Sequence, residues 1–164
     1  MSNCWLLKGK CLKRQPLEYY GFVYKITVAD SDDLPKEMRG RIYIGKKAFV
    51  YNKRTRISKK KRAETGTKKR IQRTTVDSKW LGYFGSAKQL IEDVNNFGEK
   101  YFKREILHLC FNKAQLSYFE VKEQIAHDVL QGNSYNGWIS CKIFKNRFTQ
   151  NIMSDGGSDS TNGH

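Results

Sequence analysis

The sequence predicts an α+β domain in the order strand, strand, helix, strand, helix. Two patterns predict it: three short stretches alternate apolar and polar residues with a period of two, and two longer ones repeat apolar residues at helical spacing. Turn-forming residues separate them. At 164 residues the chain has the size of one domain, enough to bury roughly two thirds of its chain surface.

Residues 1–19 mix Trp5, Leu6 and Leu7 with Lys8, Lys10, Lys13 and Arg14, and read as a basic arm that packs on the domain or touches a ligand. From Gly21 to Val28, the side chains of Phe22, Tyr24, Ile26 and Val28 point one way, with Val23, Lys25 and Thr27 opposite. That is a strand. A second covers Arg41 to Lys46, with Ile42 and Ile44 opposite Tyr43. The acidic, turn-rich stretch from Ala29 to Gly40 joins the two as one hairpin.

Lys53 to Arg73 contains Lys53, Arg54, Arg56, Lys59, Lys60, Lys61, Arg62, Lys68, Lys69, Arg70 and Arg73, with Glu64 the only acid. So +10 of the chain's net +15 lies in this one segment. Almost free of apolar residues, it cannot build a core element, and self-repulsion keeps it extended or mobile until a polyanion binds. The same pattern would serve a solvated loop or a sorting signal.

Ser86 is placed to cap a helix from Ala87 to Phe97, ended by Gly98. Glu105 to Phe111 alternates again, with Leu107, Leu109 and Phe111 on one face and Ile106, His108 and Cys110 on the other. Asn112 caps a second helix running to about Gln131, with Tyr118, Val121, Ile125 and Val129 as its apolar stripe. The Gly-, Ser- and Asp-rich tail from Ser154 reads as disordered. The expected layout is an arm (1–19), a domain (20–150) with a basic insertion at 50–78, and a tail (151–164).

An excess of 31 cationic over 16 acidic residues draws polyanions, nucleic acid first among them. No apolar stretch approaches the ~18 residues that span a bilayer, and the start lacks a secretory signal, so a cytoplasmic protein is expected. Cys4, Cys11, Cys110 and Cys141 form no CxxC pair, and the histidines complete no zinc spacing. In a reducing compartment a disulfide is not expected either.

Phe22-Val23-Tyr24 and Tyr43-Ile44-Gly45 resemble the paired signature of the GIY-YIG nucleases, the first with two letters changed. Tyr83-Phe84-Gly85-Ser86 and the run from Gly98 to Leu107 are similar to the middle region of phage-type members. Leu116-Ser117-Tyr118-Phe119-Glu120 resembles the helix that presents a metal-binding glutamate, and Tyr135-Asn136 the terminal Tyr-Asn. The likeness covers roughly residues 20 to 145. It implies a small three-stranded antiparallel sheet flanked by helices, and a free-standing endonuclease that cuts DNA with one divalent ion, Mg²⁺ or Mn²⁺. Some phage relatives of this type are homing endonucleases with a separate DNA-binding tail. Many members carry an arginine after the second tyrosine motif; here Lys47, Lys53, Arg54 and Arg56 all compete for that part.

Phosphodiester hydrolysis needs an activated water, relief of charge on the phosphate and help for the departing oxygen. A phenol is only about 0.1% ionised at neutral pH, so a tyrosine base needs cations or a metal-bound water close by. Tyr43 is the candidate base, Tyr24 positions water or phosphate, Glu120 holds the ion, and Asn136 binds phosphate or fixes the loop. Glu123 and His127 share a helix face with Glu120, either to orient it or as an exposed polar stripe. Lys46, Lys59, Lys60, Lys61, Arg62, Lys68, Lys69, Arg70 and Arg73 are expected to contact nucleic acid. Target contacts otherwise come from the arm or a second subunit; a homodimer is left open. The alternative is a non-catalytic DNA- or RNA-binding protein on the same scaffold, favoured by the missing arginine.

Overall fold

A computed structural model describes residues 3–139, and the tail expected at 151–164 lies outside them. Its strands are β1 (Trp5–Leu7), β2 (Lys10–Leu12), β3 (Gly21–Val28), β4 (Ile42–Ala48), β5 (Val50–Arg56), β6 (Ile71–Asp77) and β7 (Phe102–Cys110). Its helices are α1 (Lys59–Thr65), α2 (Lys88–Phe97) and α3 (Lys113–Ala126). No described helix is long and apolar enough to cross a membrane.

The main sheet is larger than the three antiparallel strands the sequence predicts. It has five, in the order β2-β1-β7-β3-β4, and β1 runs parallel to β7. The two added strands come from the N-terminal segment. Lys8 and Gly9 both take positive φ, as the central pair of a two-residue type I′ turn does, and fold β1 onto β2. Trp5 is thereby inserted into the core with no exposed surface. That hairpin also brings Cys4 and Cys11 together as a disulfide, with Cα atoms 5.7 Å apart, against the expectation of none. Nothing in the spacing of the two cysteines signals this; the turn does.

β3 alternates as predicted. Phe22, Tyr24, Ile26 and Val28 enter one core with Trp5, Phe49, Trp80 and Leu90 of α2, while Val23 joins Ile44, Cys110 and Leu116 in a second core beneath α3. In β7 the predicted alternation fails at a bulge. Val23 pairs with His108 but Tyr24 with Ile106, so Leu107 is the extra residue. Ile106 and Leu109 consequently share a face, and Leu107 and Cys110 face α3.

Arg104 lies inside the first core, 2% exposed. It donates to the carbonyls of Asn3, Leu81 and Tyr83 and stacks over Phe84, with 4.1 Å between guanidinium carbon and ring centre. Burial lowers its pKa to about 10, still charged at neutral pH.

Asn112 caps α3 as predicted, its side chain accepting from Gln115 N at 2.9 Å. The helix stops at Ala126, earlier than Gln131, because Asp128 turns to a φ of +48°. Its buried stripe is also rotated from the predicted one. Leu116 and Gln124 are buried, whereas Tyr118 and Ile125 are exposed. The close seat of Leu116 against Gly21 accompanies that rotation, and it turns Glu120 and Gln124 inward.

The basic segment folds into a unit of its own. β5 and β6 pair as an antiparallel ribbon, with α1 between them. Ser58 caps α1 and Gly66 ends it in the left-handed region, yet α1 buries no residue. The expectation that this segment adds nothing to the core agrees with that, but the extended or mobile chain expected from self-repulsion is instead a paired ribbon and a helix, ordered by ladder hydrogen bonds and caps.

Candidate active site

β4 would be the outer edge of the sheet, but residues 133–136 cover it. Ile42 N donates to Asn133 O, and Tyr135 N donates to Ile42 O. Asn136 then extends this pairing with its side chain. Its Oδ1 accepts from Ile44 N at 2.9 Å, and its Nδ2 donates to Ile44 O at 2.7 Å. One amide side chain thus takes the place of a ladder residue, with Ser134 Oγ 3.0 Å from the same Oδ1. Its role in this structure is to pin β4.

Alongside that pinned edge runs an open groove of about 500 Å³ lined by Tyr43, Lys46, Ser86, Glu120, Gln124 and Asn136, with Trp138 among its other walls. β4 supplies Tyr43 and Lys46, α3 supplies Glu120 and Gln124, and the turn before α2 supplies Ser86. Lys46 Nζ sits 2.8 Å from Glu120 Oε2 and donates to Ser117 Oγ at 3.0 Å. Tyr43 Oη lies 3.1 Å from Ser86 Oγ. Ser86 therefore does not cap α2 as the sequence suggests: the cap position is Ala87, which makes no side-chain cap bond.

Tyr24 lies behind this groove. It is 1% exposed, packed against Trp5, Tyr43 and Tyr83, and hydrogen-bonded to Tyr83. Burial first, then the neighbouring tyrosines, raises its pKa well above the ordinary phenol value. The unfolded chain, by contrast, loses this proton near pH ~10. Above that pH the native state holds more protons than the unfolded one, so stability falls as pH rises. Tyr24→Phe should remove about 1.4 kcal/mol per pH unit from the alkaline slope of stability, read by denaturant titration. An unchanged slope would contradict this burial.

Gly45 makes the tyrosine packing possible. A Cβ there would stand 2.5 Å from Tyr24 Oη and 2.9 Å from Tyr43 Cε1. Gly85, at a φ of +89°, would likewise press on Tyr43 from the other side at 2.9 Å. Gly45→Ala should therefore cost roughly 1–3 kcal/mol, seen as a melting point lower by roughly 3–10 °C. A melting curve that overlays wild type would refute the close approach.

The other residues singled out in the sequence are dispersed. Lys47 leaves the groove and lies over the Tyr83 ring, 3.9 Å from its centre, its pKa lowered by burial against the pull of Asp77. Lys53, Arg54 and Arg56 lie on β5, and Arg73 on β6. Lys59, Lys60, Lys61 and Arg62 belong to α1, with Lys68, Lys69 and Arg70 in the turn that follows. Glu123 is taken up by histidines: His108 Nε2 is 2.6 Å from its Oε1, and His127 Nδ1 is 3.4 Å from its Oε2. Neither Glu123 nor His127 lines the groove. Sequence reasoning missed Tyr83, Ser86, Ser117 and Gln124 as parts of the site; Tyr83 and Ser86 had a signal in the Tyr-Phe-Gly-Ser run and Ser117 one in the Leu116–Glu120 run, while Gln124 had none.

Residues 5–147 match a family model described as "Putative endonuclease segE, GIY-YIG domain". The chain belongs to the GIY-YIG endonuclease family. Its match begins at Trp5, the first residue of β1, and runs past Asn136. Comparisons with curated proteins and with solved structures gave no match. Within this GIY-YIG domain, Glu120 is the only carboxylate among the groove-lining residues. No cluster of three or more metal-ligating side chains occurs among the described residues.

Proposed function

We propose that this GIY-YIG chain hydrolyses DNA phosphodiester bonds in the groove along β4, with one divalent ion. The observation that carries the reading is the convergence of Tyr43, Lys46 and Glu120 on one groove whose backbone edge Asn136 holds fixed.

A lone carboxylate fits Mg²⁺, which keeps several waters and needs few protein ligands; Mn²⁺ would substitute. Glu120 is the residue to hold the ion, which when bound polarises the phosphate and stabilises the departing oxygen. Lys46 offers the positive charge that the family's arginine supplies elsewhere, since it is the β4 cation on the groove while Lys53, Arg54 and Arg56 are not. In its ionised form Tyr43 takes a proton from the attacking water, its oxygen aimed by Ser86, and afterwards gives that proton up to solvent. Water oxygen bonds to phosphorus, the bridging P–O bond breaks, and the departing oxygen takes a proton from solvent. Tyr24 stays neutral and serves as a packed support for Tyr43.

These unequal roles give an expected result. Tyr43→Phe should lower the cleavage rate by about 10²–10⁴-fold, the usual contribution of a general base. Tyr24→Phe should keep cleavage within about tenfold of wild type. A larger loss from Tyr24→Phe than from Tyr43→Phe would reverse the assignment.

The function itself is tested with wild type on supercoiled plasmid, with Mg²⁺, with Mn²⁺ and with EDTA, scoring cutting and gel retardation together. Nicking or linearisation only when an ion is present supports the reading. Retardation without cutting under every ion would leave a binding protein on this scaffold and end the nuclease proposal.

A further inference from the structure

The β5–β6 ribbon sorts its charges by face. Cross-strand partners lie side by side, so the register places Asn52 with Thr75, Arg54 with Arg73, and Arg56 with Ile71 on one face, with Val50 and the acidic Asp77 at its end next to β4. A hydrogen bond of 3.3 Å from Thr75 Oγ1 to Asn52 Oδ1 marks the same face. Arg70 joins it, since Arg54, Arg56, Arg70 and Ile71 line one shallow cavity. The opposite face carries Tyr51–Val76, Lys53–Thr74 and Thr55–Gln72, with a single cation.

Two arginines directly opposite each other destabilise a ribbon. Among the described residues no cation of this segment has an ion-pair partner. Tyr51 to Arg56 are all exposed, and no burial against the domain offsets the repulsion. A local arrangement that opposes its own folding fits a binding face for an anionic ligand.

We propose that the arginine face of this ribbon enters the major groove of duplex DNA and reads base edges there. This rests on the reading that DNA is the substrate. The major groove, about 12 Å wide, admits a two-stranded ribbon. Arginine and asparagine, here Arg54, Arg73 and Asn52, are the side chains that pair bidentately with guanine and adenine edges. Single strands are instead held on aromatic platforms, and this face has none. Duplex RNA closes its major groove to side chains.

The test measures binding in EDTA to a short duplex DNA, its single strand and a duplex RNA of the same sequence. Wild type should bind duplex DNA at least ~10-fold more tightly than the other two. Arg54→Gln/Arg73→Gln should lose about 100-fold on duplex DNA and with it the preference. Its melting point should not fall, because the repulsion is relieved. Arg54→Lys/Arg73→Lys keeps the charge but removes the planar fork, so it too should lose the preference. Equal binding of duplex RNA by wild type would overturn the proposal. So would a lysine variant that keeps the full preference, since charge alone would then suffice. Cutting is not read, so a protein that never cleaves still passes or fails this test, and failure here leaves the groove chemistry untouched.

Discussion

Glu120→Ala is expected to lower plasmid cleavage by at least ~10³-fold while duplex binding stays within a few-fold of wild type. The size follows from what the side chain does in the proposed reaction: it is the sole groove carboxylate, so no neighbour replaces it as ion ligand. Binding survives because the cations of the ribbon lie elsewhere. The carboxylate also holds Lys46 at 2.8 Å. Lys46 is about a third exposed and retains Ser117 as a partner, so the fold tolerates the loss. Glu120→Gln separates the two duties, keeping shape and an oxygen near Lys46 while removing the charge. It should be as inactive as the alanine variant and melt like wild type. Cleavage by Glu120→Gln within tenfold of wild type would remove Glu120 as the ion ligand.

Trp5→Ala should be the most damaging change to stability, at about 3–5 kcal/mol, a typical cost for removing a buried tryptophan. For a chain of this size that lowers the melting point by roughly 10–15 °C. Trp5 packs edge-on against Phe22 at 5.0 Å and Tyr24 at 4.9 Å, and its Nε1 donates to Trp80 O at 2.8 Å. Arg104 lies over its ring at 4.8 Å. Removal therefore opens a cavity beside a buried cation and leaves the Trp80 carbonyl without this donor. Leu17, 95% exposed, is the matched control, and Leu17→Ala should melt with wild type. A Trp5→Ala protein that melts within two degrees of wild type would show the N-terminal hairpin to be dispensable.

The sequence disclosed the parts of this molecule that depend on local periodicity. β3, β4 and α2 stand close to where alternation and helical spacing place them, and the tyrosine motifs mark β3 and β4 as the site's strands. Features set by long-range pairing stayed hidden. β1 and β2 are three residues each, joined by Lys-Gly rather than by a stronger turn signal such as Asn-Gly, and read as an arm. The bulge at Leu107 shifts phase with no Gly or Pro to announce it. The apolar stripe expected on α3 is rotated because the face toward the groove holds Glu120 and Gln124, polar residues turned inward rather than to solvent. Asn136 was singled out from resemblance, but its clasp on Ile44 depends on a partner 92 positions away.

Parallel pairing of β1 with β7 has a further consequence, for the order of assembly. Trp5 lies beside Arg104 in the ladder, so β1, which pairs locally with β2, finds its parallel neighbour about a hundred residues later in the chain. At synthesis rates of 5–20 residues per second, that interval lasts about 5–20 seconds. During it a tryptophan destined for the core is held out of it, and β3 and β4 can form no more than a hairpin. Closing so distant a contact carries its entropy cost before any reward, which favours late docking of β1. The tyrosine pair is therefore completed from behind only once β7 has been made and the β1–β2 hairpin docks beside it.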